Sequence, residues 1–306
     1  VENPEVIERI RALTVPPAWT DVWICPDPMG HLQATGIDAA GRKQYLYHER
    51  WRAHRDRQKF SRMTSFAAAL PKLRRRLVRE LAGEELTERR VLACTVRLLD
   101  VGMFRVGNPE YAGDESGIGL ATIRREHVSL NGKSIAFDYP AKGGVRRLQV
   151  VEDPVTFAVV QKLKLRRSGP AELFAYRTDG RWRPIRSDDI NDFIKQQLGE
   201  EYSAKDFRTW NATVMAAVTI AAHGRDARSK TARRRAINET TKQVAELLGN
   251  TPAVARRSYI DPRVFDRYQS GHTVAGQIER LEELEVADDR TRNRVERTVL
   301  ELLAEG

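Results

Sequence analysis

The stretch Asn250-Thr251-Pro252-Ala253-Val254-Ala255-Arg256-Arg257-Ser258-Tyr259 reads as a chain corner followed by a short helix. Pro252 suits the first helical position, where its missing N–H has no intrahelical partner to lose. Gly249 stops the preceding helix, predicted over Ala236 to Leu248, and Asp261-Pro262 closes the short one that carries Tyr259.

Helical signals extend upstream. Arg208 lies at the predicted start of a long alanine-rich helix that ends near Gly224, and Gly224 to Arg235 reads as a basic linker. Ser187 caps a helix through Leu198, closed by Gly199, and Asp153-Pro154 starts another. From Ser65, Phe66, Leu70, Leu73, Leu77 and Leu81 recur at helical spacing, with Pro71 predicting a kink or a later start. Thr87 caps the next helix, whose apolar face is Val91, Thr95, Leu98 and Leu99. Gly102 ends it and leaves Arg105 just beyond.

Residues 117–151 break this pattern. Gly119 to Glu126, Lys133 to Tyr139 and Val145 to Val151 read as three strands, with turns at Asn131-Gly132 and at Lys142-Gly143-Gly144. Strands also dominate the beginning of the chain, over Trp19 to Cys25, His31 to Ile37 and Arg42 to His48, ahead of a basic segment from Arg50 to Arg62. The C-terminal stretch, rich in Glu, Arg and Leu, reads as one or two surface helices. The predicted fold class is α+β. A small β-rich domain spans 1–62, and a larger, mainly α-helical domain with a three-stranded antiparallel sheet spans 63–306.

The chain's 306 residues suffice for two such domains, and 41% hydrophobic residues exclude a disordered protein. With 52 Lys+Arg against 42 Asp+Glu, the net charge of +10 suits a polyanionic partner. Cys25 and Cys94 show no metal-ligand spacing and read as reduced and buried, which suits the cytosol. No signal peptide is read at the start, and no run approaches the roughly 20 apolar residues of a membrane span. Phosphate loops, dinucleotide fingerprints, zinc spacings and two-metal acidic clusters are absent from the sequence, so no cofactor or metal is expected.

A phenol flanked by cations can attack a phosphodiester and stay attached to it, which makes Tyr259 the candidate nucleophile. Arg105 and Arg208 are candidates for clamping phosphate oxygens, since a guanidinium presents two parallel donors. Lys142, at a hairpin tip, could donate a proton. Asn250 could donate a hydrogen bond to a phosphate oxygen. In Gln44-Tyr45-Leu46-Tyr47, the two tyrosines share one face of a strand and Gln44 takes the other, amid Arg42, Lys43, Arg50 and Arg52. Singly, each of these has a plain alternative: a packed helix tyrosine, surface arginines, a charged turn, a left-handed helix stop, a half-buried edge strand.

Their order removes the ambiguity. Phe104-Arg105-Val106-Gly107, Tyr111, Gly119-Leu-Ala-Thr-Ile-Arg-Arg-Glu-His127, Ala141-Lys142-Gly143, Lys205-Asp-Phe-Arg208 and Asn250-Thr-Pro through Tyr259 together resemble the type IB DNA topoisomerases, in their small poxvirus and bacterial branch. The resemblance covers most of the chain, because Gln44-Tyr45-Leu46-Tyr47 is similar to that family's N-terminal DNA-contacting strand. It implies that Tyr259 forms a 3′-phosphotyrosyl link and that Arg105 and Arg208 clamp the phosphate. It also implies that Lys142 is the general acid, and that Lys205, Tyr111, Gln44, Tyr45 and Tyr47 contact DNA. The implied protein is a monomer that relaxes supercoiled duplex DNA without ATP, closing its two domains on the duplex. Its expected location is the cytoplasm, associated with the nucleoid. Poxvirus members carry His where this chain has Asn250, which can still donate to the phosphate but not act as a cation or proton relay; Asn108, followed by Pro109, replaces a lysine of their pattern, so a looser or different cleavage-site preference is expected. A tyrosine recombinase and a non-catalytic DNA-binding protein are the alternatives, although recombinases carry His at the position of Lys205.

Overall fold

A computed structural model of the protein describes residues 3–107, 118–140, 146–225, 227–276 and 288–304. The chain divides into two compact units, Val1–Arg62 and Met63–Gly306.

The first unit opens with α1 (Pro4–Ala12), capped by the Asn3 side chain. A three-stranded antiparallel sheet follows in the order β1 (Thr20–Ile24), β2 (Leu32–Ile37), β3 (Lys43–Tyr47). Arg9 pins the helix to the sheet, donating to the Cys25 carbonyl and to Gln33 Oε1, both at 2.8 Å. The β2–β3 turn is organised by Asp38, whose carboxylate accepts from the Arg42 side chain, and that charged bond lowers its pKa to about 2. Cys25 is half-buried and Cys94 fully buried, both as free thiols.

Helix α2 (Glu49–Leu81) begins well before the predicted Ser65 and runs through Pro71 without a break. The Arg50–Arg62 stretch hides this start, because it lacks an apolar stripe. Arg, Lys and Gln are nevertheless good helix formers. The unit boundary falls within this helix.

In the second unit, Phe66, Leu70, Leu73 and Leu77 of α2 are at most 1% exposed. They join a core shared with α3 (Glu88–Val101), α4 (Pro154–Leu165), α5 (Ser187–Leu198) and α6 (Ala204–His223). Thr87 and Asp153 cap α3 and α4 as their sequences predict. The sheet is β4 (Val128–Asn131), β5 (Ser134–Pro140), β6 (Arg146–Val151), antiparallel throughout.

Three readings need correction. Gly119 to Glu126 is not a strand: the Leu120 and Ala121 amides donate to the Arg105 and Val106 carbonyls, and the chain folds back to start β4 at Val128. A hairpin of β7 (Ala175–Thr178) and β8 (Arg181–Pro184) escaped notice, although Asp179-Gly180 between them is a strong hairpin dipeptide. The second half of the basic linker is helix, since α7 runs over Lys230–Leu248.

Beyond α8 (Pro252–Ser258) and α9 (Pro262–Gln269), the last helix, α10 (Asp289–Ala304), is not a surface helix. It buries Val295, Val299, Leu302 and Leu303 and sends Glu296 inside. There Glu296 accepts two bonds of 2.7 Å from Arg74, whose other edge grips Asp100 at 2.8 and 2.9 Å. Burial would raise the Asp100 carboxyl, but the Arg292, Arg74 and Arg97 guanidiniums overcome it and hold the group ionised. Removing one member of a buried ion pair strands the other charge. Glu296→Ala is therefore expected to destabilise the fold by about 3 kcal/mol, read as a lower urea midpoint. Glu296→Gln, which keeps an acceptor, should cost less.

Candidate active site

Arg208 is 4% exposed and is the fifth residue of α6. It is not at the free amides of a helix start as predicted, because the Asp206 carboxylate has closed that end by accepting from the Ser203 amide at 2.8 Å. The Arg208 guanidinium instead donates to two loop carbonyls. Nη1 bonds Met103, in the loop after α3, and Nη2 bonds Leu248, at the end of α7, at 2.8 Å. One buried arginine thus bolts together the segments that deliver Arg105 and Asn250.

Arg105 is set by close backbone packing. A β-carbon on Gly119 would stand 2.4 Å from the Gly107 nitrogen, so only glycine lets these two stretches meet. Met103, just upstream, holds a left-handed φ of 29°, a strained conformation of the kind found where a loop aims a functional side chain. From this loop Arg105 Nη2 donates to the Gly249 carbonyl at 3.0 Å and to Asn250 Oδ1 at 2.7 Å.

The left-handed residue that ends α7 is Gly249, with φ 60°, and Asn250 follows it. The Asn250 side chain is therefore free to face the site. Arginine carries no acceptor, so its bond to Oδ1 defines the amide's orientation and leaves Nδ2 as a donor. Asn250 Nδ2 and Arg208 Nε are both buried without an acceptor among the described residues. Such groups are rare enough in folded proteins that each calls for a reason.

Tyr259 caps α8, with its amide donating to the Ala255 carbonyl at 3.0 Å. Thr213 of α6 shares its hydroxyl between the carbonyls of Thr209, at 2.9 Å, and Tyr259, at 3.3 Å. The phenol is half-buried, with the Arg208 guanidinium carbon 5.3 Å from its ring centre. Burial opposes ionisation, but the charges of Arg208, then Lys205 and Arg105, more than offset it and lower the phenol's pKa.

An ultraviolet difference titration of the wild type against Tyr259→Phe should therefore show a phenol ionising below the usual value of about 10. A depressed pKa in the folded state means that the phenolate adds stability above the unfolded pKa. That contribution is lost as pH falls through the folded one.

Lys205 is the second residue of α6, exposed one turn before Arg208. The structure thus gathers Tyr259, Arg208, Arg105, Asn250 and Lys205. Lys142 and Tyr111 lie outside the described residues. Gln44, Tyr45 and Tyr47 belong to the first unit. There Tyr45 stacks on Tyr47 (6.2 Å between centroids) and Tyr47 on Trp51 (4.5 Å), while Gln44 Nε2 donates to Asp38 Oδ2 at 2.8 Å. Sequence reasoning missed Thr213, because it lies in no recognisable motif. Among the described residues, no group of three or more His, Cys, Asp or Glu could hold a metal ion. No described helix is long and apolar enough to cross a membrane.

Comparison with known proteins gives the family. Residues 48–285 match the family model described as eukaryotic DNA topoisomerase I, catalytic core, and residues 1–38 match the bacterial DNA topoisomerase IB N-terminal domain. The chain belongs to the type IB DNA topoisomerases. It is similar to the DNA topoisomerase 1B of Acanthamoeba polyphaga mimivirus, at 29% identity over 86% of this chain and 80% of that protein. It is 20% identical to the DNA topoisomerase 1B of vaccinia virus (strain Copenhagen), over 87% of this chain and 82% of the relative. A DNA topoisomerase 1 of Schizosaccharomyces pombe matches at 29% over 42% of this chain and 15% of its own length. This topoisomerase is thus an isomerase whose substrate is DNA, with an α+β fold of small antiparallel sheets on a mainly helical body.

Proposed function

We propose that this topoisomerase relaxes supercoiled duplex DNA through two transesterifications at Tyr259. The phenol gives up its proton to solvent, its oxygen bonds to phosphorus, the bond to the 5′-oxygen breaks, and a 3′-phosphotyrosyl link holds one strand. The proton that the leaving 5′-oxygen needs comes from Lys142. Arg105 and Arg208 stabilise the charge on the non-bridging oxygens, and Asn250 Nδ2 donates to one of them. The nicked duplex rotates, the 5′-hydroxyl attacks the phosphotyrosine, and the backbone is restored. The bond energy stays in the phosphotyrosine throughout, so no ATP is used.

In this reading the protein acts as a monomer on the cytoplasmic nucleoid. Residues 1–62 form a DNA-clamping domain, with Tyr45, Tyr47 and Gln44 on the duplex, and 63–306 form the catalytic domain. Lys205 and Tyr111 touch the backbone.

One observation carries the reading. The half-buried Tyr259 phenol has its ionisation favoured by Arg208, Lys205 and Arg105, and Arg208 and Arg105 make no ion pair among the described residues. Relaxation of a negatively supercoiled plasmid with chelator present and ATP absent tests it, alongside capture of a covalent adduct on a nicked suicide duplex. Strand exchange between paired sites would favour a recombinase instead. Salt-sensitive binding without an adduct would favour a non-catalytic DNA-binding protein.

A further inference from the structure

The α7 terminus carries a third guanidinium. Arg147 lies on the inner face of β6, paired across the sheet with Tyr139, and donates through Nη2 to the Leu247 carbonyl at 2.6 Å. Three consecutive carbonyls, Leu247, Leu248 and Gly249, thus each receive a different arginine: Arg147, Arg208 and Arg105. The carbonyl end of a helix attracts cations, which explains how three like charges are held so close. A β-carbon on Gly249 would stand 2.6 Å from Arg147 Nη1, so this side chain lies directly over the corner that precedes Asn250.

Arg147 also reaches the other loop. Its Nε donates to Gln149 Oε1 at 3.2 Å, and Gln149 Nε2 donates to the Gly102 carbonyl at 2.6 Å, three residues before Arg105. Arg147 makes no ion pair among the described residues, and its charge bears on Arg208 just as the Arg105 charge bears on Arg147. Asn250 is neutral, so Arg147 adds its charge at this corner to those of Arg105 and Arg208.

We propose that Arg147 is a positioning residue of the Tyr259 site, whose charge on the α7 terminus raises the pocket's attraction for the developing phosphorane. Three guanidiniums with no ion pair among the described residues repel one another in the free protein. A phosphodiester relieves that repulsion, and its more negative transition state relieves it further. The inference rests on the Tyr259 reading above.

The test is single-turnover adduct formation on a nicked suicide duplex by Arg147→Gln and Arg147→Lys. Duplex binding is measured in the Tyr259→Phe background, and thermal melting is recorded for each variant. The glutamine variant keeps donors but no charge, and should form adduct about tenfold more slowly, with melting near wild type and a smaller loss of duplex affinity. The lysine variant should recover to within about threefold of wild type. A glutamine variant as fast as wild type overturns the proposal. So does a lysine variant that melts normally yet is as slow as the glutamine one. If the wild type forms no adduct, the Tyr259 reading fails and this proposal with it. If the wild type forms adduct and the glutamine variant is unimpaired, only the role of Arg147 is lost.

Discussion

Tyr259→Phe is expected to form no covalent adduct with a nicked duplex and to leave a supercoiled plasmid unrelaxed. The substitution removes the one atom that would bond phosphorus and keeps the ring on which the Arg208 guanidinium rests, 5.3 Å from its centre. Packing and duplex affinity should therefore change little, and a filter-binding assay beside the cleavage assay shows whether they do. Three other described tyrosines are shifted the opposite way. Burial is the main cause that pushes the Tyr139, Tyr176 and Tyr268 phenols up, away from ionisation, whereas Tyr259 is shifted down. Tyr268 is also 4% exposed, with its hydroxyl 3.4 Å from the Gly224 carbonyl. An adduct retained by Tyr259→Phe would mean that the nucleophile lies elsewhere.

Arg208→Ala should slow adduct formation by at least about 10²–10³, the usual loss when a donor to a developing oxyanion is removed. It should also weaken the fold, because the Met103 and Leu248 carbonyls lose their shared donor. Bonds from a charged donor contribute about 1.5–3 kcal/mol each, so a total near 3 kcal/mol is expected in urea unfolding. Arg105→Ala should match the rate loss with a smaller stability cost, since Arg105 is only half-buried at the pocket's edge. The pair separates chemistry from architecture: equal rate losses with unequal unfolding free energies mean that both guanidiniums act on the phosphate. A near-normal cleavage rate for either variant would remove that residue from the site.

Much of the secondary structure was legible because its signals are local. Thr87, Asp153 and Gly249 mark helix ends by their own hydrogen bonds or backbone conformation, and the structure places helix ends beside each of them. Readings failed where the deciding contact came from far along the chain. The Gly119–Glu126 stretch has the composition of a strand, yet its amides go to Arg105 and Val106. The Glu- and Arg-rich C-terminal helix passes for a surface helix until Arg74 supplies a partner for Glu296. Arg147 is unremarkable in sequence, because what distinguishes it is a carbonyl a hundred residues away.

The family, the phenol, and the two arginines and asparagine expected near it followed from the amino-acid order alone, since each motif is a short run whose residue types carry their own chemistry. Whether those runs meet depended on folding. Arg208 had to be buried between Met103 and Leu248, and Gly107 had to pack on Gly119, before Arg105, Asn250 and Tyr259 faced one another. The physical reason is range. Capping, periodicity and turn preference act over a few residues and are written locally. Charge clustering and burial act through space, so the lowered phenol pKa exists only once distant cations are brought around it.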